Sequence, residues 1–222
     1  MSITLDASSI STYQAATSSY SFTHTCSGVN RLLIVGVSLF VSGGVSGITY
    51  NGVALTKIRS DTTGTYSTEL WYLVNPATGT NSIAVTLSGA LTSISEGFSL
   101  NGVDQIAPIS SNAGTNGTGA ISQNNIVTVE VNDWAAGNMS CQQATATVNG
   151  GTQDQQVTGV LGTGAFSHLG PVASPSTVGL GWSYGGTTPY AQSGAAIKPL
   201  VIPWVQLTND PAYQDTLSIV PY

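Results

Sequence analysis

Charge is the scarcest property of this chain. Of its 222 residues only 6% are Asp, Glu, Lys or Arg, against about a quarter in an ordinary soluble domain. Cations are rarest, 4 Lys and Arg against 10 acidic residues, for a formal net charge of −6. Affinity for nucleic acid comes largely from cations that neutralise phosphates, and attraction to an anionic membrane needs the same cations. Neither partner is expected. Histidine and cysteine occur only twice each. Cys26 and Cys141 lie far apart and in no metal-ligand spacing, so they read as small buried hydrophobes, with a disulfide as the alternative. No calcium-loop or phosphate-loop spacing is present, and no metal or cofactor is expected. Long apolar runs are also missing. The longest spans Leu32–Val41 and includes Gly36 and Ser38, too short to cross a bilayer. The opening MSITLDASSI has neither the basic nor the apolar part of a signal peptide, so synthesis in a cytoplasm is expected.

Ser, Thr, Asn, Gln and 26 Gly take the place of charge, while 41% of residues are hydrophobic. That apolar content argues against disorder. An uncharged hydroxyl and amide surface suits the exterior of a particle or cell, or burial against partner subunits. The apolar residues come in short runs with strand character, separated by Gly, Asn and Ser clusters. Ser19–Cys26 alternates, and Leu32–Val41 is apolar on both faces, as a strand covered on each side would be. Asn51-Gly52 between Gly47–Tyr50 and Val53–Ile58 predicts a two-residue type I′ hairpin. Further strands are expected at Glu69–Val74, Asn81–Leu87, Ser93–Leu100, Val103–Ile106, Asn125–Val131, Met139–Val148, Gln155–Leu161, Val178–Trp182 and Ala191–Ile197. Ser110–Gly119 reads as a low-complexity loop. The fold class expected is all-β: an antiparallel, jelly-roll-like sandwich over residues 1–197. Residues 198–222 carry Pro199, Pro203, Pro211 and Pro221 and read as an extended arm. Leu200, Ile202, Trp204 and Val205 would bind a partner or pack back on the parent domain, because leaving them in water is costly.

Catalytic patterns are weak. His24 alternates with Tyr20, Phe22 and Cys26, and His168 sits in the Gly/Ser-rich stretch GTGAFSHLG, read as a loop. No nucleophile elbow comes after a strand. Glu69, Glu96, Asp104 and Glu130 fall on separate strands or strand ends, without the paired spacing of a glycosidase. No enzyme activity is expected. Trp182, Tyr184 and Tyr190, in an aromatic and glycine-rich stretch, are candidates for a glycan-contact platform, with core and loop packing the favoured reading.

The succession RLLIVGVSLF, GITYNGVALTKI, ELWYLVNPATGTNSIAVTLSGA, SLNGVDQ and SGAAIKP resembles a β-sandwich domain of tailed-phage structural proteins and bacterial surface proteins, over about residues 10–199. The YNGVALT hairpin and the LWYL…PATGTN strand–turn–strand carry it most specifically. The resemblance implies a structural or adhesive role and brings no catalytic residue. The expected function is therefore a non-enzymatic virion subunit, a capsid decoration (cement) or tail or fibre protein made in the host cytoplasm. Its expected partners are other shell subunits, including copies of itself in a homo-oligomer. The alternative is a cell-surface adhesin or carbohydrate-binding module.

Overall fold

The computed structural model describes residues 2–128, 130–142 and 145–201, and every regular element in it is a β-strand. In the first half of the chain these are β1 (Thr4–Ile10), β2 (Gln14–Cys26), β3 (Leu32–Leu39), β4 (Val45–Tyr50), β5 (Val53–Ala54), β6 (Thr56–Thr63), β7 (Tyr66–Val74) and β8 (Gly79–Asn101). The second half supplies β9 (Ile109–Val127), β10 (Trp134–Cys141), β11 (Ala146–Asn149), β12 (Thr152–Thr158), β13 (Thr163–Leu169) and β14 (Thr177–Ile197). The first eight form one antiparallel sheet and the last six another, and the two pack face to face as a β-sandwich.

The type I′ hairpin is where the local sequence places it. Asn51 and Gly52 both have positive φ, 49° and 79°, and Tyr50 faces Val53 across the turn. Several other expectations need correction. Asn81–Leu87 and Ser93–Leu100 are halves of the single strand β8, as Val178–Trp182 and Ala191–Ile197 are of β14. Ser110–Gly119 is no loop but part of β9, which pairs with β14 almost from end to end. Residues 163–169, including His168, form β13. In each case a partner strand supplies ladder hydrogen bonds that outweigh low intrinsic strand propensity. Val103–Ile106 is not a strand; Val103 alone forms an isolated bridge with Pro199.

The long strands fold over. The late half of β8 lies between β1 and β3, while its early half pairs with β2 and β4. Ile83, Val85 and Leu87 of that early half share a core with Leu33, Val35, Val37 and Leu39 of β3. The early half therefore covers the outer face of the sheet to which the late half belongs. The same happens in the second sheet. The Gln192 amide donates to the Leu180 carbonyl at 2.6 Å, and the Asn124 amide donates to the Ala113 carbonyl at 2.6 Å, joining the two halves of β14 and of β9. Trp182 lies in a core with Met139 and Cys141, on the side of β10 turned away from the first sheet.

Both sheets share one topology. The order β4-β8-β3-β7-β6 repeats as β11-β14-β10-β13-β12, with β1 and β2 along β8 where β9 lies along β14. Details repeat as well. Asn30 and Asn132, each two residues before the central strand, have positive φ of 52° and 69°. A bulge interrupts β6/β7 beside Leu70 and β12/β13 beside Phe166, the same step in each hairpin. Gly97 and Gly194 occupy matching places, where an added Cβ would strike Ile83 and Ile126 of the folded-over layer. The chain is thus two copies of one lobe, packed about a pseudo-two-fold axis between β3 and β10.

At that axis the lobes come very close. Ser38 Oγ donates to the Met139 carbonyl and Ser140 Oγ to the Leu39 carbonyl, both at 2.8 Å, and the Asn138 amide donates to the Val37 carbonyl at 3.2 Å. A serine reaches the facing backbone only where the sheets lie well inside their usual spacing of about 10 Å. Gly36 and Gly164 permit this: added Cβ atoms would lie 3.0 Å from Asn138 Cβ and 2.9 Å from Ser38 Cβ. Around the seam the interface is apolar, with Leu32, Ile34, Leu70 and Phe98 against Trp134, Phe166 and Ile197. Gly36→Ala is expected to destabilise by about 1–3 kcal/mol through overpacking. Gly47→Ala, where nothing lies within 4 Å of an added Cβ, is expected to stay within about 0.5 kcal/mol. Urea unfolding of the two variants measures the contrast, and equal effects would show that the seam is not tight.

Candidate functional site

Because β3 and β10 run in the same direction, both begin at one end of the sandwich, where β8 and β14 finish. Loops at that end are tied down by side chains. Arg31 donates to the Pro76 and Gly28 carbonyls and to Asn75 Oδ1 at 2.6–2.8 Å. Asp6 accepts from the Ser27 amide at 2.8 Å, from the Ser27 hydroxyl, and from Ser99 Oγ at 2.9 Å. Asp104 accepts from the amides of Ile106 and Ala107. Desolvation pulls its carboxyl upward, but those amides and the nearby Lys198 charge outweigh it and hold the carboxyl below its usual range.

The last described residues lie at this same end. Asp104 donates its amide to the Lys198 carbonyl at 3.0 Å, Pro199 is buried in its bridge to Val103, and the Leu200 amide donates to the Gly102 carbonyl at 2.8 Å. Lys198–Leu200 is therefore integrated with the sandwich, and the fixed chain runs past residue 197 to Leu200. Exposed apolar side chains lie there: Val29 at 62%, Ile106 at 96% and Val201 at 63% exposure. Of the expected arm contacts, Leu200 is half-buried here, whereas Ile202, Trp204 and Val205 lie outside the described residues.

The candidate aromatic platform does not form on the surface; core packing, the favoured reading, is what the fold shows for Trp182 and Tyr184. Trp182 is fully buried, and Tyr184 is buried with its hydroxyl 2.6 Å from Ser122 Oγ. Only Tyr190, half-buried against Tyr184, has partial exposure. The reason is the fold-over of β14, which turns this stretch into a strand facing Met139 and Cys141.

The carboxylates lie apart. Glu69 occupies the outer face of its sheet, 2.8 Å from Lys57 Nζ, and accepts from the Trp71 indole and the Val45 amide at 3.0 Å. Glu96 faces the opposite way, into the seam between lobes, so the two cannot flank one cleft. Asp104 and Glu130 are in loops. Cys26 and Cys141 lie in separate cores and are not joined by a disulfide. Among the described residues no three His, Cys, Asp or Glu side chains are grouped to hold a metal, and no helix is long and apolar enough to cross a membrane.

Each histidine has a partner that its sequence neighbourhood does not reveal. His168 Nδ1 lies 2.8 Å from both carboxylate oxygens of Asp154, and its ring stacks on Trp134 at 4.8 Å. Asp154 is the bulged residue of β12, and no local signal marks a bulge. In the first lobe Ile58 and Tyr72 hold the equivalent positions. His24 Nδ1 shares a hydrogen with Ser9 Oγ at 2.8 Å, while Nε2 has no hydrogen-bond partner among the described residues. The ring is only 2% exposed, and burial lowers its pKa to about 4 although Asp6 pulls the other way.

Comparison with protein-family models, curated proteins and solved structures finds no match to this chain.

His24 makes acid stability testable. Its ordinary value is 6.5 and its folded value about 4, so the unfolded chain binds more protons across that window. Stability conferred by the neutral ring is present above about pH 6.5 and is lost as pH falls toward 4, by at most about 3 kcal/mol. His24→Gln, neutral throughout, is expected to escape this loss. Denaturant titrations at about pH 7 and about pH 4.5 measure it, and equal acid losses in both proteins would remove His24 as the cause.

Proposed function

We propose that this chain is a non-enzymatic structural subunit of a virion, a capsid decoration or a tail or fibre component of a tailed phage, which assembles through the segment beyond Val201. One observation carries the reading. The packed chain is anchored up to Leu200 by Pro199 and the Gly102 carbonyl, then leaves amid exposed Val29, Ile106 and Val201. The remaining sequence, IPWVQL and onward, is apolar and proline-punctuated, with Asp210 and Asp215 its only charged side chains. Such a segment gains by burial on a neighbour, and repetition of subunits in a shell multiplies each contact. The sequence resemblance to phage structural proteins points the same way. A glycan-binding role draws little from the structure, since Trp182 and Tyr184 are inside.

Truncation after Val201 tests the reading and leaves the anchored Lys198–Leu200 intact. The truncated protein is expected to melt within about 2 °C of the full chain but to lose self-association and binding to particles. Light scattering, and co-sedimentation with purified virions, supply the readouts. A truncated protein that assembles normally would overturn the proposal. So would one whose melting temperature collapses, because the segment would then be packing on its own domain. Mass spectrometry of intact virions from the producing host checks the location itself.

A further inference from the structure

Glu96 is a fully buried carboxyl with no charged partner among the described residues. It is 1% exposed, and among the described residues neither carboxyl oxygen has a hydrogen-bond partner. Within its sheet it lies between Ile10 of β1 and Gly36 of β3. Across the seam its Oε1 lies 3.5 Å from the position of a Cβ added to Gly164 of β13. It therefore occupies the narrow seam where the two lobes touch through Ser38, Asn138 and Ser140. Its counterpart in the second lobe is Ser193, whose hydroxyl donates to Asp61 at 2.6 Å, and Asp61 is itself paired with Arg59. The first lobe thus carries a carboxyl where the second has a well-partnered hydroxyl.

We propose that Glu96 is a pH-sensitive latch between the two lobes, which pack closely only while its carboxyl carries a proton. An isolated carboxylate in a closely packed seam is far costlier than a neutral acid, so ionisation drives the group toward water and strains the contact. Among the described residues the surroundings offer no compensating cation. β3 presents Gly36 and Ser38, β10 Asn138, and β13 Gly164 and Phe166, none of them titratable. On β2, Tyr20 hydrogen-bonds Ser93 and Ser95 and is raised by burial and by the Glu96 charge, so it repels that charge when ionised itself. His168 lies against the Phe98 ring, 5.4 Å between centroids, and is paired with Asp154, while Arg59 is engaged with Asp61. In keeping with this geometry, burial pushes the carboxyl well above its ordinary range, its own backbone amide opposing only in part.

Linkage sets the sign. The folded state holds the proton more tightly than the unfolded state, whose value is near 4.5. The stability conferred by the proton is complete below about pH 4.5 and drains away as pH rises toward the folded value. Below about pH 6.5 His24 acts in the opposite sense, so the effect is read above that point.

The test compares full-length wild type with E96Q, which keeps the shape without the charge, by thermal melting from about pH 6.5 to about pH 9.5. The wild-type melting temperature is expected to fall relative to E96Q by at least about 4 °C across that range. Parallel profiles, or a wild type that gains on E96Q with rising pH, would overturn the latch. Should E96Q not fold, isotope-edited infrared spectroscopy of wild type decides. A protonated carboxylic-acid band persisting at neutral pH supports the proposal, and complete ionisation together with the exposed Glu130 refutes it.

Discussion

The contact on which the rest of the structure depends is the seam where β3 of one lobe meets β10 of the other. Two sheets that touched only through large apolar side chains would sit about 10 Å apart. Here Gly36 and Gly164 remove the side chains, and Ser38, Ser140 and Asn138 reach across to backbone carbonyls. Those carbonyls already belong to sheet ladders, but each has a second lone pair to offer. The polar centre fixes register between lobes, since a shift along the strand would break all three hydrogen bonds at once. Phe98 against Phe166, at 5.1 Å, and the residues around them supply the apolar burial beside it.

The duplication explains why so much of the molecule is internal. Each lobe folds its longest strand over its own sheet, so β3 and β10 are covered on both faces and every one of their residues is buried. The copies differ in chemistry where they face each other. Tyr72 and Ile58 of the first lobe stand where the second has the His168–Asp154 pair, and Glu96 stands where the second has Ser193. Symmetry of backbone with asymmetry of buried charge is what a fused pair allows. A true homodimer would have to place two carboxyls, or none, at the axis.

Local signals in the sequence are readable and long-range ones are not. Asn51-Gly52 and the unbroken apolar run of β3 report conformation within a few residues, and the all-β class emerges from many such runs. Ser110–Gly119 looks like a loop because Gly, Asn and Thr have little strand preference of their own; only β14, far along the chain, makes it a strand. The same distance hides Asp154 from His168 and seats Trp182 in a core. The repeat is nearly invisible in sequence because its markers are backbone features: a left-handed Asn before each central strand, a bulge at one step of each hairpin, a glycine under each fold-over. Val-Asn, at Val29-Asn30 and Val131-Asn132, is the faint trace that survives. At the candidate assembly end, the proline-rich composition of the last segment is plain. Anchoring through Pro199 is not, because it depends on Val103 nearly a hundred residues earlier.

The architecture also changes what the low charge means. A composition rich in Ser, Thr, Asn and Gln suggests contact with partners, yet much of that polar content is inside. Ser38, Thr68, Ser95, Ser122, Asn124, Asn138, Ser140, Gln192 and Ser193 are all buried, and most bond to backbone or to one another. A chain that packs four layers of strand from short side chains needs small groups able to satisfy facing carbonyls. Hydroxyls and amides do this where a charged group would remain desolvated. Internal packing therefore accounts for a large part of the composition without any partner. Support for assembly then comes from the chain exit at Leu200 and the apolar side chains around it, not from the average character of the surface. Glu96 shows the other side of the same constraint: where Asp61, the other carboxyl reaching across the lobes, is paired with Arg59, Glu96 has no cation beside it among the described residues, and burial favours its uncharged form.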